Sequence, residues 1–239
     1  MILELRPTKI LLHLPFTRAV IKSCKMRMIY AELSDESIVK VHSPGFNLGG
    51  LLKQDVVIFI SPCKEPKECT HYIVAFLQGD HLRGANPNLA NLIFETILLK
   101  NYWGETPVSF IKEPRVEDSR LDFLLGYPTP VYHEIKSCFF KKKDCLIFPV
   151  KHVGELIECT KRKPLSERSI KHAKLLQKLR GVLVFIAQRT DSTILKINPL
   201  EPMLKKLLNS KKVTKYLITT QWDLNGILTL NSVVVLKKL

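Results

Sequence analysis

"SRLDFLLGYPTPVYHEIKSCFFKKK", residues 119–143, holds two apolar, strand-like runs separated by a Gly-Tyr-Pro-Thr-Pro turn. The first run carries Asp122, the second carries Glu134 and Lys136, and three lysines, Lys141, Lys142 and Lys143, follow. Side chains alternate across a strand, so Glu134 and Lys136 emerge on one face and His133, Ile135 and Ser137 on the other. If the runs pair, Asp122 comes alongside, and two carboxylates can hold a hard divalent cation such as Mg²⁺ or Mn²⁺. Asp122, Glu134 and Lys136 would then suit metal-assisted phosphodiester hydrolysis, with the lysine near the attacking water. The same triplet also fits a half-exposed strand whose Glu134 and Lys136 lie in water, because Glu-x-Lys arises by chance in many proteins.

Beyond this stretch the periodicity changes. A helix is expected to open at Ser166 and end before Gly181, with Ile170, Ala173, Leu176 and Leu179 on its buried stripe. "GVLVFIAQ" reads as a strand buried on both faces, as in a sheet flanked by helices. A short helix after Pro199 and two strands joined through "DLNG" close the chain. Upstream, residues 8–80 offer short runs rich in Val, Ile, Tyr and Phe, among them "SIVKVH", "DVVIFIS" and "HYIVAFL", split by turn clusters. That spacing suits a small barrel, and an OB-like barrel is a common solution at this length. "NPNLANLIFETILLKN" then switches to helical spacing. The expected architecture is an OB-like β-barrel domain over residues 1–83, followed by an α/β domain over 84–239 with a mixed central sheet.

Thirty-seven Lys and Arg against 22 Asp and Glu give a formal charge of +15, which favours a polyanionic partner, DNA first among them. No segment is apolar for long enough to cross a bilayer and no secretory signal opens the chain, so a cytoplasmic protein is expected. The six cysteines form no CxxC pair or zinc-finger spacing. They read as reduced thiols, and a Cys63–Cys69 disulfide is expected only in a hyperthermophile's cytosol.

"RLDF", "HEIKSC", Phe148-Pro149, "SERSIKHAKLLQKL" and "VLVFIAQRTD" followed by Pro199 occur in the order of the motifs of the sugar fermentation stimulation protein A (SfsA) family. "CKMRMIYAEL", "VHSPG", "LLKQDVVIFIS" and "NPNLANLIFETIL" look like weaker counterparts. The resemblance spans most of the chain. It implies an N-terminal OB-like domain, a C-terminal domain resembling the PD-(D/E)xK nucleases, DNA binding, and Asp122, Glu134 and Lys136 as the D…E-x-K set. Three departures stand out: Val150 follows Phe148-Pro149 where the family usually has Asp, about a dozen extra residues precede Ser166, and the family's Asn-Thr-Gly loop in the first domain is altered to "SPGFNLGG".

Further candidates follow from that resemblance. In such folds a helix beside the metal site supplies phosphate contacts, and Arg168 and His172 share a face four residues apart. Glu95, on the first helix of the second domain, stands where this nuclease class often places another metal carboxylate. The lysines at 141–143 would attract the DNA backbone. In the barrel, Lys25 and Arg27 supply charge and Phe46 a stacking platform. Arg189 is expected to pair with Asp191 as a structural bridge.

Overall fold

The structure, a computed structural model, describes residues 9–239 except 26, 46, 47, 49, 105, 150–165 and 238. Phe46 and Val150 therefore lie outside the described residues.

The chain opens with β1 (Ile10–His13), then runs through β2 (Thr17–Lys25), β3 (Met28–Glu32), β4 (Ile38–His42), β5 (Val57–Pro62), β6 (His71–Gln78) and β7 (His81–Gly84). Strands β2 to β6 form a closed five-stranded barrel in the order β4-β3-β2-β5-β6, because β4 also pairs with β6 in parallel. This is the OB-like barrel expected from the turn spacing. Its interior is filled by alternate residues of each strand, such as Ala19 and Ile21 on β2, Ile29 and Ala31 on β3, and Ile58 and Ile60 on β5.

After the barrel come α1 (Leu89–Leu99), β8 (Ser109–Lys112), the short ribbon β9 (Arg115–Val116) and β10 (Ser119–Arg120), β11 (Phe123–Gly126) and β12 (Val131–Ser137). There follow β13 (Lys141–Lys142), β14 (Cys145–Phe148), α2 (Glu167–Leu179), β15 (Val182–Ala187), β16 (Ile194–Ile197), α3 (Pro202–Leu208), β17 (Thr214–Trp222) and β18 (Ile227–Val235). Seven strands make a mixed sheet in the order β1-β18-β17-β15-β12-β11-β8, with β12, β15 and β17 parallel at its centre. All six residues of β15 are buried, as a strand covered on both faces requires. One face packs on α1 through Ile93, Phe94 and Ile97, the other on α2 and α3 through Leu176, Leu204 and Leu208.

β1 precedes the barrel in the chain yet pairs with β18, the last strand. A division at residues 83/84 thus leaves β1 on the far side of its own hydrogen bonds. The two halves also meet at a close backbone approach, where the Gly84 amide donates to the Gln188 carbonyl at 2.9 Å. A Cβ on Gly84 would overlap the Gln188 side chain, which in turn is held by the Asn86 carbonyl and the Trp222 indole.

Candidate metal centre and the cleft around it

β11 and β12 pair antiparallel with Phe123 opposite His133. Continuing that register by one residue sets Asp122 across from Glu134. The alternation expected from sequence holds: His133 packs its ring on Phe94 of α1, 5.8 Å between centroids, while Glu134 faces α2. His133 is 2% exposed, and burial pushes its imidazole down to about 4, so it is a neutral core residue at physiological pH.

Asp122 is fixed at both oxygens. Oδ1 accepts from the Asn91 side-chain amide at 3.0 Å, and Oδ2 from the Ile135 backbone N–H at 2.7 Å. Burial, with the Glu134 charge second, raises its carboxyl above the ordinary value despite these donors and Lys136.

Glu134 is 1% exposed. Its Oε1 accepts from Lys136 Nζ and from His172 Nδ1, the latter at 2.5 Å. Burial alone would raise this carboxyl, but the His172 hydrogen bond and the Lys136 charge outweigh it and leave it below the ordinary value. An ionised Glu134 makes His172 Nδ1 the donor of that bond. Glu134 Oε2 is buried and has no partner among the described residues. A buried carboxylate oxygen left without a donor is costly.

The pair lies in a cleft of about 510 Å³ that runs from Gly45 and Leu48 of the barrel, past Asn91, Asp122 and Lys136, to Arg168 on α2. The Ser166 hydroxyl caps α2 by accepting the Ser169 N–H at 3.2 Å, which fixes the helix start where Arg168 emerges. His172, one turn on, is buried against Glu134 rather than exposed on the helix surface. Ile170, Ala173 and Leu176 of the expected stripe are buried, and on the outer side of the helix Lys171 reaches the Asp118 carbonyl and Lys178 pairs with Glu117.

The remaining candidates lie elsewhere. The structure does not bring Glu95 to the carboxylate pair: it points toward β8 and pairs with Lys112. The α1 side chain that reaches Asp122 is Asn91, one turn earlier on the same helix face. Nothing in the sequence pattern marks Asn91, since an asparagine in the first turn of a helix is usually a capping residue. Lys142 and Lys143 are exposed, whereas Lys141 is tied to Asp191 at 3.0 Å. Arg189 forms the expected bridge, bidentate on Asp191 at 2.6 and 2.8 Å. Lys25 and Arg27 are exposed at the β2–β3 end of the barrel. Cys63 and Cys69 are free thiols.

The donor set suits a hard cation. Asp122 and Glu134 supply oxygens, one of them unsatisfied, and Mg²⁺ keeps most of its waters and asks for only one or two carboxylates. Among the described residues no group of three or more His, Cys, Asp or Glu side chains is placed to hold a metal ion, so a cation here would rest on two carboxylates and water. Nor is any described helix long and apolar enough to cross a membrane.

The sequence pattern of the sugar fermentation stimulation protein RE domain, SfsA, matches residues 88–216, more than half of the chain, and includes Asn91, Asp122, Glu134, Lys136, Arg168 and His172 but not the barrel side of the cleft. The chain belongs to the SfsA family. Its fold is similar to that of Pyrococcus furiosus SfsA in complex with Ca²⁺, with a TM-score of 0.78 over 94% of this chain and 97% of that one. The two sequences are 19% identical, so the likeness concerns the fold: the SfsA architecture joins a barrel to a mixed sheet in the same way. No curated protein matches the chain.

Proposed function

We propose that this SfsA-family chain binds DNA and hydrolyses its phosphodiester bonds with a divalent cation, Mg²⁺ or Mn²⁺, at Asp122 and Glu134. The observation that carries this reading is Glu134 Oε2, a buried carboxylate oxygen without a partner among the described residues, beside a second carboxylate in an open cleft. The Ca²⁺ complex of Pyrococcus furiosus SfsA supports a divalent cation, and the +15 charge supports a polyanionic substrate.

Asp122 and Glu134 would hold the cation, which when bound stabilises charge developing on the phosphate and lowers the pKa of water. The chain's own residues do the rest. The Asn91 amide and the Ile135 N–H fix the Asp122 carboxylate, and His172 fixes Glu134, so neither reorients as charge develops. Lys136 Nζ, held beside Glu134, orients the attacking water or a phosphate oxygen. Arg168, exposed at the cleft mouth, takes a neighbouring phosphate.

A second reading, a non-catalytic DNA-binding regulator on the same fold, draws on Asn91: the α1 position nearest Asp122 carries an amide, not a third carboxylate. One experiment separates the two. Purified protein is incubated with single- and double-stranded DNA with and without Mg²⁺ or Mn²⁺, and cation uptake is followed by calorimetry in wild type and Asp122→Asn. Cation-dependent cleavage lost in the variant is expected. Uptake without cleavage would favour the regulator, and equal uptake in both proteins would overturn the metal centre.

A further inference from the structure

A second buried charge cluster lies on the seam between the barrel and the mixed sheet, and Asp122 and Glu134 take no part in it. Arg83 on β7, Lys141 on β13 and Arg189 just after β15 converge on Asp191, at 3.1 Å from Arg83, 3.0 Å from Lys141 and 2.6 Å from Arg189. Three of these donors crowd the single oxygen Oδ2. Three cations against one carboxylate leave two positive charges in excess, and no other described acid pairs with them. The two guanidinium side chains are 8% and 7% exposed, so the excess is held away from water, where an uncompensated charge is costly.

Two further details suit the cluster to an anion. Arg83 Nε is buried without an acceptor among the described residues. Burial first, and Arg189 second, push the Arg83 guanidinium below its ordinary value, with Asp191 opposing them only in part. The cluster is not sealed: Asp191 is 26% and Lys141 19% exposed, so a small oxyanion can approach from that side. Arg189 also donates to the Phe139 carbonyl at 2.8 Å, which anchors its fork while the Lys141 ammonium stays adaptable.

We propose that Arg83, Lys141 and Arg189 form a phosphate-group site on the inter-domain seam, separate from the carboxylate pair. Two guanidiniums and an ammonium around one point match the oxygens of a phosphate, which guanidinium groups recognise in a bidentate manner. Asp191 holds the three donors together when the site is empty and sets a limit on the affinity. The same chemistry could be met by free inorganic phosphate or by a phosphodiester of bound nucleic acid, and neither case requires the divalent-cation reading above.

The test uses the full chain with no divalent cation present. Melting temperature and calorimetric binding are measured with inorganic phosphate against chloride at equal ionic strength, and affinity is measured for a hexanucleotide. Wild type, Lys141→Ala, Asp191→Asn and, as a control away from both sites, Glu95→Gln are compared. Free phosphate as ligand predicts a phosphate-specific rise in melting temperature, affinity about tenfold weaker in Lys141→Ala, tighter binding in Asp191→Asn, and no change in Glu95→Gln. A phosphodiester as ligand predicts that inorganic phosphate is silent while hexanucleotide affinity follows the same order. If Asp191→Asn weakens folding, whichever of the two ligands binds should restore its melting temperature toward wild type. The proposal is overturned if neither ligand distinguishes the variants, or if Asp191→Asn destabilises and neither inorganic phosphate nor the hexanucleotide rescues it.

Discussion

The cleft at Asp122 and Glu134 and the seam at Arg83, Lys141 and Arg189 are opposite in sign and alike in construction. Each surrounds one over-committed oxygen, Glu134 Oε1 in the first and Asp191 Oδ2 in the second. Each also leaves one buried polar atom without a partner among the described residues, an acceptor in the cleft and a donor in the seam. The difference teaches what each can take. The cleft has two carboxylates against one lysine at its buried end, with Arg168 at its mouth, and opens onto a large cavity, so it suits a cation with substrate beside it. The seam has cations in excess and a narrow exposed edge, so it suits a small anion.

The largest expected effect comes from breaking the cleft at its most buried group. Glu134→Ala leaves Lys136 and His172 facing a vacated carboxylate, and removing one partner of a buried ion pair costs about 3–5 kcal/mol. Lys136 retains some access to water, 18% of its side chain, which puts the expectation at the lower end, about 3 kcal/mol. Urea unfolding measures it; a loss under about 1 kcal/mol would mean that Glu134 is not held as a buried anion. Cation uptake should vanish in the same variant.

Asp122→Asn should have the opposite effect on folding while still abolishing uptake. A carboxyl whose folded pKa is raised contributes stability that is fully present below its unfolded pKa, about 3.9, and is lost as pH rises through the folded value. Near neutrality the cation-free wild type therefore bears the cost of an ionised Asp122, and the neutral amide relieves it. Asn91 can reverse its own amide and keep the contact. The cation-free variant should melt at or above the wild-type temperature, and a clear fall would show that Asp122 is structural.

The pH profile sharpens this point. Protons compete with the cation for Asp122, so the melting-temperature gain from Mn²⁺ should appear as pH rises through the raised Asp122 value and should be small below it. Glu134 has the reverse sign: its lowered pKa contributes stability above the unfolded value, about 4.3, that is lost as pH falls through the folded one. A Mn²⁺ effect equal at pH about 4 and about 7 would place the cation away from both carboxylates.

The smallest effect on folding belongs to the exposed lysines. Replacing Lys142 and Lys143 by alanine should change stability by less than about 0.5 kcal/mol. The slope of log affinity for DNA against log salt should fall by nearly two, about 0.9 for each lost phosphate contact. An unchanged slope would remove these two lysines from the interface.

Much of the cleft was legible in residues 119–143 because a strand has period two. That period alone places Glu134 and Lys136 on one face and His133 on the other, and the helical period does the same for Arg168 and His172. Glu95 shows the limit of such reading: a helix face is readable, but which of two residues one turn apart reaches a neighbour depends on where the helix is docked, and the docking selects Asn91. The Arg189–Asp191 bridge was readable because its partners are two residues apart. Its enlargement by Arg83 and Lys141 was not, because those residues come from separate strands brought together by folding.

The sequence by itself determined the local elements, the charge of the molecule and the faces on which its titratable groups stand, since these follow from short-range periodicity and composition. Tertiary structure alone decided three things: the register that sets Asp122 opposite Glu134, the pairing of β1 with the last strand, and the crowding of three cations on Asp191. Each depends on contacts between residues distant in the chain. Those contacts are fixed by packing over the whole core, through long-range pairing that no local pattern encodes.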